Sequence, residues 1–318
     1  MRRHISVVSL GLAIILGSIG CSKQGDLPAV KMKNVDQSTG FITVEGARLP
    51  YTIEGSGIPC VVTGYAKLIA PTFSRELRRH IQFIFADFRY AYGIEAKSHV
   101  EKTTLDTLVE DIEHIRKALG FKKIAVLGHS ANGWIALEYA RKYPQNTSHV
   151  IMIGAPLSFW SDEFRKKADK IWESEASEER KAILAKNWES LTQDMLKKVS
   201  PGKAFVMTYI ANTPRYWYSP DYNAAPLWEG IEPNMDMYNQ VYDVILKDFD
   251  VFGTVRQIKA PILAAIGRHD FWFYFPWDEK KDQLAPMTCV VFDKSAHFPE
   301  VEEQALFDQK LIDWIERH

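Results

Sequence analysis

The sequence has few cysteines and no surplus of charge of either sign. Of its 318 residues only 3 are cysteine, and 39 lysines and arginines balance 40 aspartates and glutamates to a net charge of −1. A small scaffold held by disulfides needs many more cysteines, and a nucleic-acid-binding protein needs a basic surplus that attracts phosphates. The sequence therefore predicts neither a disulfide scaffold nor a nucleic-acid partner.

The chain also lacks low-complexity segments and repeats of a fixed period. Hydrophobic residues make up 46% and charged residues 25% of the chain. These are the proportions of a globular protein and not of a disordered one. A chain of this length can bury a large core, so we expect one large domain or two small ones.

The apolar run near the N-terminus, residues 5–19, is shorter than the roughly 20 residues that a membrane span needs. It follows Arg2 and Arg3, and a basic start before such a run is typical of a secretory signal. The stretch Ser-Ile-Gly-Cys at 18–21 resembles the lipobox of bacterial lipoproteins. That resemblance implies cleavage before Cys21 and acylation of the cysteine. The alternative is a plain cleaved signal with a cysteine nearby by chance.

The expected organisation is a lipoprotein signal peptide at 1–20, a polar tether at 21–38 and a folded part from residue 39 onward. Several acyl chains on one anchor exceed what stable membrane attachment requires. We therefore expect a lipoprotein of the cell membrane or outer membrane that faces the periplasm or the cell exterior. The membrane is then a partner through the lipid anchor.

Short apolar strands alternate with amphipathic helices over the rest of the chain. An opening hairpin is predicted around Gly46, and helices at 105–119, 131–143 and 306–315. Further strands are predicted at 60–63, 82–86, 124–127, 150–153, 262–266 and 289–292. Near-continuous apolar strands of this kind are typical of a parallel sheet with both faces covered. The pattern predicts an α/β fold, with a mostly parallel sheet and helices on both faces.

One long segment, 157–259, interrupts this alternation. It holds five of the nine tryptophans of the chain, and its helical stretches are predicted at 164–172 and 179–198. We interpret it as a mainly helical, aromatic-rich lid between the two parts of the core, 39–156 and 260–318. The alternative is that these aromatic residues only form the small core of the insertion.

Two cysteines remain beyond the leader, Cys60 and Cys289. Each lies in its own apolar run, so both are predicted to be buried in strands and free rather than joined in a disulfide.

The stretch Gly-His-Ser-Ala-Asn-Gly at 128–133 lies where a strand ends and a helix begins. It resembles the nucleophile elbow of the α/β-hydrolase fold, and the resemblance implies that Ser130 is the nucleophile. The helix N-terminus behind the serine favours the oxyanion that forms in acyl transfer. Asn132 stands where the family pattern has glycine, and we expect it to adopt the unusual backbone angles of that position.

Two further residues follow later strands, as the same family would place its acid and its base. Asp270 comes after the strand at 262–266, and His297 comes after the last strand. The chain order Ser130, Asp270, His297 is that of the α/β-hydrolases. In this catalytic triad His297 takes the serine proton and Asp270 orients the imidazole.

Other assignments are weaker. Asp278 could replace Asp270 as the acid, and His129 is interpreted as a structural neighbour of the serine. A metal site at His269, Asp270 and His297 would leave the elbow unexplained, so no metal is predicted. Without a phosphate loop or a dinucleotide glycine pattern, no cofactor is predicted either.

The oxyanion hole of the family needs two backbone amides. The resemblance places one on Ala131, directly after the nucleophile. The other belongs to the loop after the third strand, which here reads Thr-Gly-Tyr-Ala at 63–66 and gives the amide of Tyr65.

The closest likeness within the family is to its proline iminopeptidase branch. It rests on Leu-Glu-Tyr-Ala at 137–140 and on the His-x-Pro-x-x-Glu-Glu pattern at 297–303. The oxyanion loop of that branch is absent here. The lid glutamates of that branch hold the free amine of the substrate, and Glu189 is the residue here that could have the same role. The better interpretation of Glu189 is a solvated glutamate on the surface of a helix.

These observations predict a serine hydrolase that cleaves an ester or amide of a small, partly apolar substrate, a small molecule or short peptide, through an acyl-serine intermediate. An aminopeptidase of the proline iminopeptidase type is the narrower alternative. A lipoprotein that only binds a hydrophobic ligand is the alternative from another class.

Overall fold

A computed structural model describes residues 37–89, 91–92, 97–158, 161–275, 281–284 and 287–318. The predicted signal peptide, the predicted lipidation site Cys21, most of the predicted tether and the alternative acid Asp278 lie outside these residues.

Eight strands form one sheet within the described ranges. The strands are β1 (Gln37–Val44), β2 (Ala47–Glu54), β3 (Ile58–Gly64), β4 (Ile81–Asp87), β5 (Ile124–His129), β6 (Thr147–Ile153), β7 (Ile262–Gly267) and β8 (Thr288–Phe292). Their spatial order is β1-β2-β4-β3-β5-β6-β7-β8. The opening hairpin is antiparallel, β2 pairs antiparallel with β4, and every other neighbouring pair is parallel. The predicted α/β fold is confirmed.

Helices fill the connections between the strands. In chain order they are α1 (Ala66–Ile69), α2 (Leu77–His80), α3 (Lys97–Glu101), α4 (Leu105–Ala118), α5 (Asn132–Lys142), α6 (Asp162–Glu175), α7 (Glu178–Ser190), α8 (Gln193–Lys197), α9 (Pro201–Ala211), α10 (Thr213–Tyr216), α11 (Met235–Asn239), α12 (Val251–Val255), α13 (Lys281–Leu284), α14 (Pro299–Glu302) and α15 (Gln304–Arg317). Short 3₁₀ turns lie at Ala70–Thr72 and Ala225–Trp228, and a π-helical turn at Gln240–Ile245. None of these helices is long and apolar enough to cross a bilayer.

Burial of the inner strands explains their apolar sequences. Every residue of β5 and β7 is buried. The helix α5 packs on β5 and β6 and is buried from Asn132 to Ala140, so it belongs to the core and not to the surface. The nucleophile candidate therefore lies between two of the most buried elements of the fold.

The helices between β6 and β7 begin at residues that the sequence provides for capping. Four of them have a Ser or Thr side chain that accepts a hydrogen bond from the backbone amide three residues later, at Ser161, Ser177, Thr192 and Ser200. The prediction of one helix at 179–198 is wrong. Helix α7 ends at Ser190, and Thr192 is the N-cap of the separate helix α8.

The prediction for the cysteines is half right. Cys60 is completely buried in β3, but Cys289 is exposed, because β8 is the edge strand of the sheet and only alternate residues face the core. No disulfide joins the two.

One buried ion pair ties the opening hairpin to the segment before β4. The Nε and Nη2 atoms of Arg78 donate to Oε2 of Glu54 at 2.8 and 2.6 Å, and both residues are only 4% exposed. The same guanidinium also donates to the carbonyls of Phe73, Ser74 and Ala70. Removing one partner of such a buried ion pair lowers stability strongly, because the other charge stays buried without compensation.

We expect Arg78→Met to lower the free energy of unfolding by about 3–5 kcal/mol, because a buried ion pair with Glu54 and three hydrogen bonds to carbonyls are lost together. The matched control is Arg79→Met, since the neighbouring Arg79–Glu76 pair is exposed and is expected to contribute at most about 1 kcal/mol. Urea unfolding followed by circular dichroism measures both. Equal losses in the two variants would contradict this account.

Candidate active site

Ser130 lies in a sharp turn between β5 and α5. Its φ of 57° is in the left-handed region, which is unfavourable for a residue with a side chain. The turn is so tight that a Cβ on Gly128 would lie 2.2 Å from the backbone oxygen of Asn132. The Ser130 amide donates to the carbonyl of Ile153 at 2.8 Å, which fixes the turn against β6. This is the geometry of a nucleophile elbow.

The expected role of Asn132 as the strained residue is wrong. Asn132 is the first residue of α5, and Ser130 itself takes the left-handed conformation. The side chain of Asn132 is 6% exposed and lies against Gly64, where a Cβ would come within 2.6 Å of Nδ2. Its Oδ1 atom accepts a hydrogen bond of 3.0 Å from the hydroxyl of Tyr242. The residue therefore fills space beside the loop after β3.

His297 and Asp270 form a buried hydrogen-bonded pair. The Nδ1 atom of His297 lies 2.6 Å from Oδ2 of Asp270, and the two residues are 2% and 5% exposed. The other carboxylate oxygen accepts from the amide of Trp272 at 3.1 Å. Because Asp270 accepts at Nδ1–H, the Nε2 atom of His297 keeps its lone pair and can accept a proton.

The histidine loop packs closely on the end of β6. A Cβ on Gly154 would lie 2.8 Å from the carbonyl oxygen of His297, so glycine is required there, and its φ is 56°. The His297 amide donates to the carbonyl of Tyr216 at 2.9 Å. The residue is thus fixed by contacts with both the core and helix α10.

Ser130 and His297 line the same cavity, which has a volume of about 210 Å³. Tyr65 also lines it, and Ala131 is buried at the start of α5. Among the described residues, neither the Tyr65 amide nor the Ala131 amide donates to a backbone acceptor. The structure thus brings all five residues of the predicted site to the same end of the sheet, beyond β3, β5, β7 and β8.

Seven aromatic side chains form a large part of the remaining cavity wall, six from the segment between β6 and β7 and one, Trp272, from the loop after β7. Their rings follow one another in an arc, with neighbouring centroids 4.3 to 6.0 Å apart. In order around the cavity, the arc consists of Trp272, Tyr216, Tyr209, Trp228, Phe205, Tyr238 and Tyr242. We call these seven residues the aromatic arc. One end lies against His297 through Tyr216, and the other end reaches Asn132 through Tyr242.

Sequence reasoning noted the aromatic richness of this segment but did not identify which rings face the cavity. Which rings face the cavity depends on how short helices and irregular turns pack together. That packing follows no periodic pattern in the sequence, so it could not be predicted. Glu189, the residue compared with the amine-binding glutamates, is exposed on α7 and does not line the cavity.

His129 and Glu300 lie directly behind the catalytic pair. The ring of His129 meets that of His297 edge-on at 4.7 Å, and its Nε2 lies 3.0 Å from the carbonyl oxygen of His297. Burial lowers the pKa of His129, so the ring is neutral and Nε2–H donates to that carbonyl. The wholly buried Glu300 has its Oε1 3.8 Å from the same nitrogen. Burial raises the pKa of Glu300 to about 8, which keeps the carboxyl neutral at pH 7.

Asp87 and Arg89, which follow each other closely at the end of β4, both have structural partners. Asp87 accepts from the amide of Ala66 at 2.7 Å, and Arg89 makes a two-pronged contact with the buried Asp111.

Comparison with known proteins agrees with the fold. The family model described as alpha/beta hydrolase fold matches residues 57–304. The AB hydrolase superfamily protein YclE of Bacillus subtilis is 30% identical over 285 residues, which cover 88% of this chain and all of YclE. The proline iminopeptidase PfmaB of Pestalotiopsis fici is 26% identical over 291 residues, 87% of this chain and 99% of that protein. An esterase from Exiguobacterium antarcticum shares the fold with a TM-score of 0.56 at 20% identity, over 87% of this chain and 98% of the esterase.

We expect Glu300→Gln to flatten the pH dependence of stability. Between the ordinary pKa of 4.5 and the folded value of about 8, the folded protein holds a proton that the unfolded chain releases. The free energy of unfolding therefore falls as the pH rises through this window, by up to about 1.4 kcal/mol per pH unit for this one group. Glutamine has the same shape and does not titrate. Urea unfolding across the window measures the slope.

Glu302, whose pKa burial also raises to about 8, titrates in both proteins and cancels from the comparison. Glu179→Gln, on the exposed surface of α7, is the control and is expected to retain the slope of the original protein. Identical slopes for Glu300→Gln and the original protein would show that Glu300 titrates in its ordinary range.

Proposed function

Because the chain belongs to the α/β-hydrolase family and is a hydrolase, we propose that it cleaves a small uncharged ester or amide through an acyl intermediate on Ser130. The observation that carries this proposal is the pairing of His297 with Asp270 at 2.6 Å beside a cavity that Ser130 also lines.

In the proposed reaction the Ser130 Oγ attacks the carbonyl carbon of the substrate, and Nε2 of His297 takes the hydroxyl proton. The carboxylate of Asp270 stabilises the imidazolium so formed and holds the ring in the tautomer that accepts at Nε2. His297 then gives the proton to the leaving group, which departs and leaves the acyl group on Ser130. A water molecule, deprotonated by the same histidine, releases the acid and restores the serine.

The negative charge on the carbonyl oxygen needs donors in place before the reaction begins. We assign this role to the amides of Tyr65 and Ala131, which is supported by their having no backbone acceptor among the described residues. The N-terminus of the 11-residue helix α5 adds a favourable field at the same point. Removing one such donor from a serine hydrolase costs about 10²–10³ in kcat.

The composition of the cavity wall supports an uncharged substrate with an apolar acyl group. None of the described residues that line the cavity is Asp, Glu, Lys or Arg. Ring faces attract a cation by about 0.5–2 kcal/mol. Stripping water from an ammonium group costs several kcal/mol, so the rings alone do not repay it. Apolar groups, by contrast, gain from burial against the aromatic arc.

An aminopeptidase is the second candidate, favoured by the resemblance to PfmaB over nearly its whole length. Such an enzyme must bind the free ammonium of its substrate. The exposed position of Glu189 and the absence of a carboxylate among the described lining residues argue for the neutral substrate instead.

A protein that only binds a hydrophobic ligand would have no use for this arrangement. The buried Asp270–His297 pair and the left-handed Ser130 each cost stability, and they persist together only where the surrounding structure maintains them. Their coincidence favours catalysis.

We also propose that the enzyme is a lipoprotein, tethered through Cys21 to the cell membrane or outer membrane and facing the periplasm or cell exterior. This rests on the basic start, the apolar run at 5–19 and the lipobox-like stretch at 18–21.

The substrate charge is tested with two esters that differ only at the amino group, which is free in one and acetylated in the other. We expect kcat/KM for N-acetyl-alanine methyl ester to exceed that for alanine methyl ester by at least about tenfold, because the ammonium of the latter has no carboxylate partner in the cavity. Prolyl para-nitroanilide is the test substrate for the second candidate. Ser130→Ala, which lacks the nucleophile, is the blank in each assay.

Faster cleavage of the free-amine ester, together with rapid release from prolyl para-nitroanilide, would replace the neutral-substrate proposal by the aminopeptidase. Retention of activity in a folded Ser130→Ala variant would overturn the acyl-serine mechanism for either substrate.

We expect Cys21→Ser to abolish incorporation of labelled palmitate and to move the protein from the membrane fraction to the soluble fraction, since the thiol that carries the lipid is gone. The control is Cys289→Ser, which removes an exposed thiol of β8 and leaves lipid labelling unchanged. Unchanged membrane attachment of Cys21→Ser would contradict the lipoprotein assignment.

A further inference from the structure

Asn132 occupies a position between the two proposed oxyanion donors. Its own backbone follows Ala131 directly, so it is covalently next to one donor. Its side chain packs on Gly64, the residue that precedes Tyr65, which carries the other donor. A Cβ on Gly64 would lie 2.6 Å from Nδ2 and 3.1 Å from Cγ of Asn132, so this contact is close enough that only glycine permits it.

The orientation of the Asn132 amide is set from the aromatic arc. The hydroxyl of Tyr242 donates to Oδ1 at 3.0 Å. Burial raises the pKa of Tyr242, so this hydroxyl keeps its proton and remains a donor. With Oδ1 engaged on Tyr242, the Nδ2 end of the amide is the one that faces Gly64.

The backbone at Gly64 needs such a support. Its φ of 120° is in the region that glycine alone adopts readily, and the loop that follows bends directly into the short helix α1. On the other side, the amide of Ala66 is fixed by the Asp87 carboxylate at 2.7 Å. The Tyr65 amide thus lies between one contact from Asn132 and one from Asp87.

We propose that Asn132, oriented by Tyr242, is the positioning residue of the oxyanion hole and sets the placement of the Tyr65 amide relative to the Ala131 amide. This inference rests on the proposed function, because it needs the oxyanion hole assigned above. It gives a specific role to the asparagine that replaces the usual glycine of the elbow. It also makes the rate of the chemical step depend on Tyr242, a residue that belongs to the π-helical turn between β6 and β7.

The test uses the full-length protein and two substitutions. Tyr242→Phe removes one hydroxyl and retains the ring, so the packing of the arc is conserved. Asn132→Ala removes the amide that touches Gly64. We expect each to lower kcat for a neutral ester about tenfold with KM changed less than about twofold, since the loss of one oriented hydrogen bond acts on the transition state.

A comparison of an oxygen ester with its thionoester separates positioning from a general structural effect. The larger sulfur is a weaker hydrogen-bond acceptor, so an intact oxyanion hole favours the oxygen ester strongly. We expect the ratio of kcat/KM for the two esters to fall about tenfold in Tyr242→Phe and in Asn132→Ala. The double variant is expected to match Asn132→Ala, because Tyr242 has no amide left to orient.

Tyr222→Phe is the matched control. Tyr222 lies in the same insertion and stacks on Trp217 at 3.8 Å, but it does not line the cavity. We expect its kcat, KM and ester ratio to equal those of the original protein. Circular dichroism and urea unfolding establish that each variant is folded.

The outcomes distinguish this inference from the function on which it rests. Activity that survives Ser130→Ala overturns the mechanism itself. Activity that depends on Ser130, with an unchanged ester ratio in a folded Tyr242→Phe variant, overturns only the role of Asn132. A rise in KM with kcat unchanged also overturns it, because Tyr242 would then contribute to substrate binding alone.

Discussion

Ser130 keeps its left-handed backbone conformation because β5 and α5, which are packed in the core on either side, hold the turn in place. Such a conformation costs about 1–3 kcal/mol, and the contacts of one serine side chain are too few to offset this free energy. The cost is met by β5 and α5, which are buried almost completely and converge at the turn. Gly128 lets the chain fold back on Asn132, and Gly133 lets α5 approach Ala155, where a Cβ would come within 2.9 Å. The position of Ser130 at the cavity is therefore a consequence of the two buried elements that meet at the turn.

The electrostatic surroundings of His297 are as restricted as its geometry. Burial keeps His129 neutral, and it keeps Glu300 and Glu302 protonated at pH 7. The carboxylate of Asp270 is then the anion in hydrogen-bond contact with the ring, at 2.6 Å. If the two glutamates behind the site were ionised, they would also stabilise the imidazolium and weaken the control that Asp270 has over it. Because these neighbours are neutral, Asp270 is the carboxylate among them that stabilises the imidazolium.

The core strands and the positions of the candidate site residues could be predicted from the sequence because they obey local rules. Apolar runs marked the strands, and Ser130, Asp270 and His297 each follow a strand end. What failed depended on position in the fold. Cys289 lies in an apolar run, yet it is exposed, because β8 is an edge strand of the sheet that the described residues form and only its alternate residues face the core. The role of Asn132 could not be predicted, because it arises from contacts with Gly64 and Tyr242, which are distant in sequence.

The segment between β6 and β7 is bound to the catalytic loops by its backbone. The carbonyl of Tyr216 accepts from the amide of His297, the carbonyl of Arg215 accepts from the amide of Phe271, and the amide of Tyr218 donates to Glu302. Arg180 of α7 donates to the carbonyls of Pro214 and Trp217, which holds the same stretch of chain in place. The rings that line the cavity are thus attached to the loops that carry Asp270 and His297. We therefore expect substitutions in this segment that change the choice of substrate to change the reaction rate as well, because they also displace His297.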